Sequence, residues 1–189
     1  MDEPGTQAFK SPEEFEKWLS KNHSKSNGVW LRAYKKSAGA NVLKGTEVLD
    51  PLLCYGWITG QARRGTDEYT LWWVCPRRSK SLWSKINTQH AERLVKEGRM
   101  KASGLREIEE AKRDGRWARA YRPQSTATLP KDFRRALIKS RKAGTFLKTL
   151  NRQNVYAIIF RLETTKSKEL RKAKIKAFIK KLEKGERFR

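Results

Sequence analysis

Residues 69–121 read YTLWWVCPRRSKSLWSKINTQHAERLVKEGRMKASGLREIEEAKRDGRWARAY, and the fold class turns on a change of period inside them. Tyr69, Leu71, Trp73 and Cys75 fall on one side of an extended chain, and Thr70, Trp72 and Val74 on the other. Large apolar groups on both sides predict a central strand over 68–76. Beyond Pro76 the period becomes helical. A helix is expected over 82–98 with Ile86 and Leu94 as core positions, then a turn from Gly98 to Gly104. A second helix, Leu105 to Asp114, is stopped by Gly115. A strand running into helices joined by short turns predicts an α+β fold.

Working toward the N-terminus, Trp57 to Arg63 is a second strand, turned into the first near Gly65-Thr66-Asp67. Thr46 to Ile58 has helical apolar spacing, but Pro51 lacks an N–H donor, and Asp50-Pro51 is the better of two helix starts. Val29 to Tyr34 is a strand after the Asn27-Gly28 turn. Ser11-Pro12-Glu13-Glu14 combines a capping hydroxyl, proline at the first helical position and early carboxylates, so 12–22 is an amphipathic helix. Toward the C-terminus, 122–130 is a linker. A helix follows from Pro130, with Phe133, Ala136 and Leu137 inward and Gly144 as its end, and Phe146, Leu147 and Leu150 make a short turn. Val155, Ile158, Ile159 and Leu162 mark a buried helix, and Ile175, Phe178, Ile179 and Leu182 a last one over about Ser167 to Lys184. The expected organisation is an α+β core domain over 1–121, with a short antiparallel sheet, and a basic helical region over 122–189.

The 189 residues carry a formal charge of +24 and are 37% apolar, with 7 Trp, 7 Phe and 5 Tyr. So many large rings predict a folded core beneath a charged shell. The charge is uneven: residues 130–189 hold 20 Lys and Arg against 5 Asp and Glu, a net +15. Such a field draws polyanions and says nothing about fold. No apolar run approaches the roughly 18 residues of a membrane span, and the polar start MDEPGTQAFK has no leader-like apolar stretch. Cys54 and Cys75 are expected as reduced thiols of an intracellular protein, cytoplasmic or nuclear in a eukaryote.

Three groups of residues are candidates for binding. In the first, Ser81 or Ser84 opens a helix whose free N–H groups and dipole face an anion. Arg77, Arg78, Lys85, Asn87 and Arg116 add charge and polar contacts for a phosphate or carboxylate. The same geometry serves plain capping, with the arginines paired to glutamates, and the sequence leaves both open. It is not a P-loop, for it lacks the glycine spacing and the Gly-Lys-Ser/Thr ending. In the second, Trp83 and Trp117 offer rings for base stacking, while Trp57 and Gln61 border a pocket with Arg77 and Asn87. In the third, Lys172, Lys174, Lys176, Lys180 and Lys181 line the last helix and suit a phosphate backbone. Catalytic signals are weak. His23 and His90 have no metal-ligand spacing with the cysteines, so neither metal nor cofactor is expected.

Gly56-Trp57-Ile58-Thr59-Gly60-Gln61, Pro76-Arg77-Arg78, Ser81-Leu82-Trp83-Ser84-Lys85-Ile86-Asn87, Gly98-Arg99-Met100 and Gly115-Arg116-Trp117-Ala118-Arg119-Ala120-Tyr121 recur in order along the chain. With them it closely resembles the YdeI/OmpD-associated family, from Phe15 to the last helix. The resemblance implies a small α+β domain of the YjbR/CyaY-like kind with a helical C-terminal region. It also implies a role in protection against bacteriocins, and no established reaction or catalytic residue. Two departures stand out: Thr59 occupies the Asp position of the family's Gly-Trp-Ile-Asp-Gly, and Glu163-Thr164-Thr165-Lys166-Ser167 replaces its Glu-Thr-Arg. Both favour binding of charge over catalysis. The expected function is non-enzymatic binding of a polyanion, DNA or RNA. The alternatives are a binder or enzyme for a small phosphorylated or carboxylated ligand, and a protection factor acting through protein contacts.

Overall fold

A computed structural model describes residues 5–188. They form β1 (Thr6–Gln7), α1 (Pro12–Asn22), β2 (Val29–Tyr34), α2 (Leu49–Cys54), β3 (Trp57–Arg64), β4 (Tyr69–Pro76), α3 (Lys85–Lys96) and α4 (Ala102–Arg113). Then follow α5 (Lys131–Ile138), α6 (Arg141–Thr149), α7 (Arg152–Glu163) and α8 (Lys168–Glu183). The fold is α+β with a helical C-terminal half. Two compact units divide it: one runs to Ser81 and resumes over Asn87–Ala111, and the other joins Leu82–Ile86 to everything from Lys112 onward.

In the first unit the strand order is β1-β2-β4-β3, with β4 central as its two apolar faces predict. The sheet is mixed, not purely antiparallel. β2, β4 and β3 run antiparallel, while β1 joins β2 in parallel, a two-residue strand too short to leave a periodic signal. One face carries Leu31, Ala33, Val74 and Trp57, all sealed. On it Trp57 meets Trp18 of α1 edge-on at 5.8 Å, and its Nε1 donates to the His23 carbonyl at 3.1 Å. α1 begins as the sequence predicts, with the Ser11 hydroxyl accepting from the Glu14 N–H at 3.3 Å.

Three boundaries differ from expectation. α2 starts at Leu49, so Pro51 lies in its first turn, where the missing N–H has no partner to lose. Asp50 is then not a cap; its carboxylate takes Arg93 Nη2 at 2.5 Å and lies 2.8 Å from His90 Nδ1. In α3 the buried face is Thr88, Ala91 and Leu94, and Ile86 is 41% exposed because it lies in the first turn, on another side of the helix. Gly104 is inside α4 and does not end a turn. A Cβ there would sit 2.4 Å from the Cys54 carbonyl oxygen and 2.6 Å from that of Leu53, so glycine lets two backbones touch.

The second unit packs around Phe133, Ala143, Ile158, Leu162, Leu182 and Phe188, ringed by Leu137, Phe146, Leu147, Ile175, Phe178 and Ile179. The single helix expected after Pro130 is two. Ser140 breaks it and caps α6 by accepting from the Ala143 N–H at 3.3 Å, so Gly144 lies within α6 and Phe146 and Leu147 belong to its last turns. Three helices meet at Arg171. Its Nε and Nη2 donate to the two Asp132 oxygens at 2.6 and 3.0 Å, and its Nη1 to the Leu162 carbonyl. That guanidinium bond is the chief cause holding the Asp132 carboxyl below its ordinary pKa.

Gly104→Ala is expected to destabilise by about 1–3 kcal/mol, despite alanine's better helix propensity, because the new methyl has nowhere to go; urea unfolding measures it. Asp132, with its folded pKa depressed, stabilises fully above the ordinary carboxylate pKa of about 3.9, and that contribution fades as pH falls through the lower folded value. Arg171→Gln should lower the urea midpoint at pH 7 and flatten this acid-side dependence.

Candidate functional site

The residues from Pro76 to Asn87 fall in both units, and each part is described within its own. Arg77 follows directly on β4, its N–H donates to the Gly56 carbonyl at 3.0 Å, and the residue is only 6% exposed. Arg78 and Ser81 close a small turn on themselves: the Arg78 N–H donates to Ser81 Oγ at 2.9 Å, and the Ser81 N–H to the Arg78 carbonyl at 2.8 Å. Asn87 is half-buried in the first turns of α3, and Arg78 is exposed.

In the second unit the Trp83–Ser84 pair is sealed. Tyr121 runs beside it, its N–H donating to the Trp83 carbonyl at 3.0 Å, while the Lys85 N–H donates to the Tyr121 carbonyl at 2.8 Å. The N–H that would greet an anion at the start of α3 is thus engaged, although the Lys85 side chain is exposed. The Trp83 ring packs against Trp117 at 4.8 Å, and Lys112 Nζ stands 5.4 Å from the Trp117 ring. Arg116, expected to hold phosphate, is buried; its Nε donates to Asp114 Oδ2 at 2.6 Å and its N–H to Oδ1 at 2.9 Å. The cause is common to all of these. Burying the Trp83 indole outweighs leaving it to wait for a base, the Trp117 ring beside it stays half-exposed, and a neighbouring carboxylate meets the buried Arg116 guanidinium. Trp57 is likewise 1% exposed and no stacking platform, whereas Gln61 is exposed on β3.

α8 departs from expectation in the other direction. Lys172, Lys176 and Lys180 are exposed, and Lys168 and Lys184, which composition alone did not single out, extend them into a row at every fourth residue. Such a row is about 24 Å long and winds about 40° around the axis at each step. Lys174 and Lys181 are set apart from it. Lys174 Nζ bonds Thr165 Oγ1 at 3.1 Å, while Lys181 pairs with Glu186 at 3.7 Å and lies over the Phe188 ring. The helical spacing of the lysines was the signal that could have found the row.

Cations continue around the end of α8. Lys184 shares a groove of about 710 Å³ with Arg141 and Lys142 of α6, floored by Phe146 and Leu182. On α5, Lys131, Arg134 and Arg135 surround Ile138, which is 83% exposed. No group of three His, Cys, Asp or Glu among the described residues is placed to hold a metal ion. Burial pushes the Cys54 thiol up to about 11 and raises Cys75, so both are protonated, weak nucleophiles near neutral pH. No described helix is long and apolar enough to cross a membrane.

Comparison with known families divides the chain. Residues 7–107 match a domain of unknown function (DUF8412), and residues 126–185 match the family described as bacteriocin-protection, YdeI or OmpD-associated. The YdeI/OmpD likeness read along the whole chain is thus matched over its helical part, where the departure at 163–167 falls, while Thr59 falls in the other domain. Neither the curated proteins nor the solved structures provide a match.

Arg116→Ala should cost about 1–3 kcal/mol in urea unfolding, since it removes a buried side chain together with its charge-assisted bond to the exposed Asp114. Arg78→Ala, at an exposed turn, should change stability by no more than about 0.5 kcal/mol.

Proposed function

The chain belongs to the DUF8412 domain family and carries a YdeI/OmpD-associated region behind it, and from there we propose that it binds nucleic acid through the helical region, without catalysing a reaction on it. One observation carries this reading: Lys168, Lys172, Lys176, Lys180 and Lys184 form an exposed row on α8. Over about 24 Å a DNA strand presents about seven phosphates at 3.4 Å each, and because the row turns about 160° over that length the long lysine side chains must reach around the helix for all five to meet one strand. Arg141 and Lys142 beside Lys184, and the cations of α5, widen the same positive field. A row of lysines reads charge and not base identity, so binding is sequence-independent. Its place of action is inside the cell, where such polymers are.

The chief rival, a small anionic ligand held by Trp57, Gln61, Arg77 and Asn87, loses ground because Trp57 and Arg77 are buried. The family description also names bacteriocin protection, and the exposed Ile138 favours a protein partner as a second reading. Replacing Ile138 by Glu separates them, since it should disturb a protein contact far more than phosphate binding.

The test is a salt titration of binding to a 20-base-pair DNA duplex. Log affinity should fall linearly with log salt, and changing all five row lysines to glutamine should make the slope shallower by about 4. An affinity indifferent to salt, or a slope unchanged in the variant, contradicts the proposal.

A further inference from the structure

The face of the sheet opposite Trp57 is built differently from the core face. Cross-strand pairing places Trp30 beside Trp73, Arg32 beside Leu71, and Tyr34 beside Tyr69, all on this one face, and Arg63 of β3 joins them opposite Leu71. The rings cluster in two pairs, Trp30 with Trp73 at 5.5 Å and Tyr34 with Tyr69 at 5.4 Å. Along β2 these pairs stand about 13 Å apart. The guanidiniums lie between: Arg63 covers the Trp30 ring at 4.3 Å and Arg32 the Tyr69 ring at 5.3 Å, with Arg32 Nε also donating to Thr6 Oγ1.

Three features separate this face from ordinary core. First, Trp30, Trp73 and Tyr34 keep part of their surface open, around the buried Leu71 and Tyr69. Second, Arg63 belongs to the outermost strand, where a residue that merely guards an edge would point outward. It lies instead across the central strand over Trp30, remains exposed, and is paired with no carboxylate among the described residues. Third, the ladder is irregular at Trp73. Gly60 and Gln61 together oppose that one residue in a bulge, a device that re-aims side chains near binding sites. The Trp73 indole lies against the backbone at two glycines; a Cβ on Gly28 would come within 2.4 Å of it and one on Gly60 within 3.3 Å.

We propose that this face is a second, separate contact surface that takes single-stranded nucleic acid. Unpaired bases stack on the open surfaces of Trp30, Trp73 and Tyr34, while Arg63 and Arg32 meet the phosphates between them. The commitment to a single strand follows from the chemistry: π-faces are useless to a duplex, whose bases are already stacked, and open bases accept any ring. Guanidinium groups between rings supply both charge and further stacking planes. The inference rests on the nucleic-acid reading above and adds strandedness to it. Gln61, exposed in the bulge beside Trp73, is placed to contact a base edge.

The test uses the full chain with two probes, a 20-residue oligothymidylate and a 20-base-pair duplex, read by tryptophan fluorescence and by anisotropy of the labelled DNA. The single strand should quench tryptophan emission more than the duplex does. Arg63→Glu, an exposed substitution, and Trp30→Leu should each weaken single-strand binding by about tenfold and leave duplex affinity within about twofold, because the lysine row is intact. Circular dichroism checks that both variants fold. Salt-dependent duplex binding with no preference for the single strand, or single-strand affinity untouched in folded Arg63→Glu, overturns this inference alone. Failure to bind either probe overturns it together with the proposed function.

Discussion

Like-charge repulsion is the constraint the helical half must satisfy before it can do anything else. Sixty residues with 20 cations and 5 acids resist being brought together. The answer lies in how apolar groups are spent: Phe133, Ala143, Ile158, Leu162, Leu182 and Phe188 are all turned inward. One of the few acids, Asp132, is placed where α5, α7 and α8 meet at Arg171. The lysines are thereby pushed outward. A surface so loaded is costly for the free protein, and that cost is what the proposed binding of a polyanion would offset.

The α+β half sorts the same kinds of residue between two faces. Trp57 and Val74 are sealed against α1 and its neighbours, and Trp30, Trp73 and Tyr34 lie on the other side, with arginines over the rings of Trp30 and Tyr69. Alternation along β4 made both faces apolar, and the difference between them comes from cross-strand partners. Arg63 and Arg32 stand on either side of Leu71, in register with neither of the ring pairs they cover.

Local signals were legible in the sequence, and tertiary ones were not. The Ser11-Pro12 cap, the β2 strand and the central position of β4 follow from spacing and capping chemistry alone. Ile86 was misread because two apolar residues fixed the phase of α3, where the buried side is set by the small residues Thr88 and Ala91. Gly104 and Gly144 read as punctuation, yet one allows a close backbone crossing and the other sits quietly inside α6. The arginine-serine-tryptophan segment shows the limit of composition for a related reason. Composition shows which groups are able to bind an anion, but not that Asp114 holds Arg116 or that Tyr121 takes the Lys85 N–H. On the basic helix, only helical geometry separates Lys168 and Lys184, in the row, from Lys174 and Lys181, outside it.

The most direct measurement is acetylation footprinting of the lysines by mass spectrometry, with and without saturating DNA. The account predicts strong protection of Lys168, Lys172, Lys176, Lys180 and Lys184, with Lys17, Lys21 and Lys36, exposed on the other unit, reacting much as before. Protection spread evenly over all of these lysines, or none on α8, would contradict it.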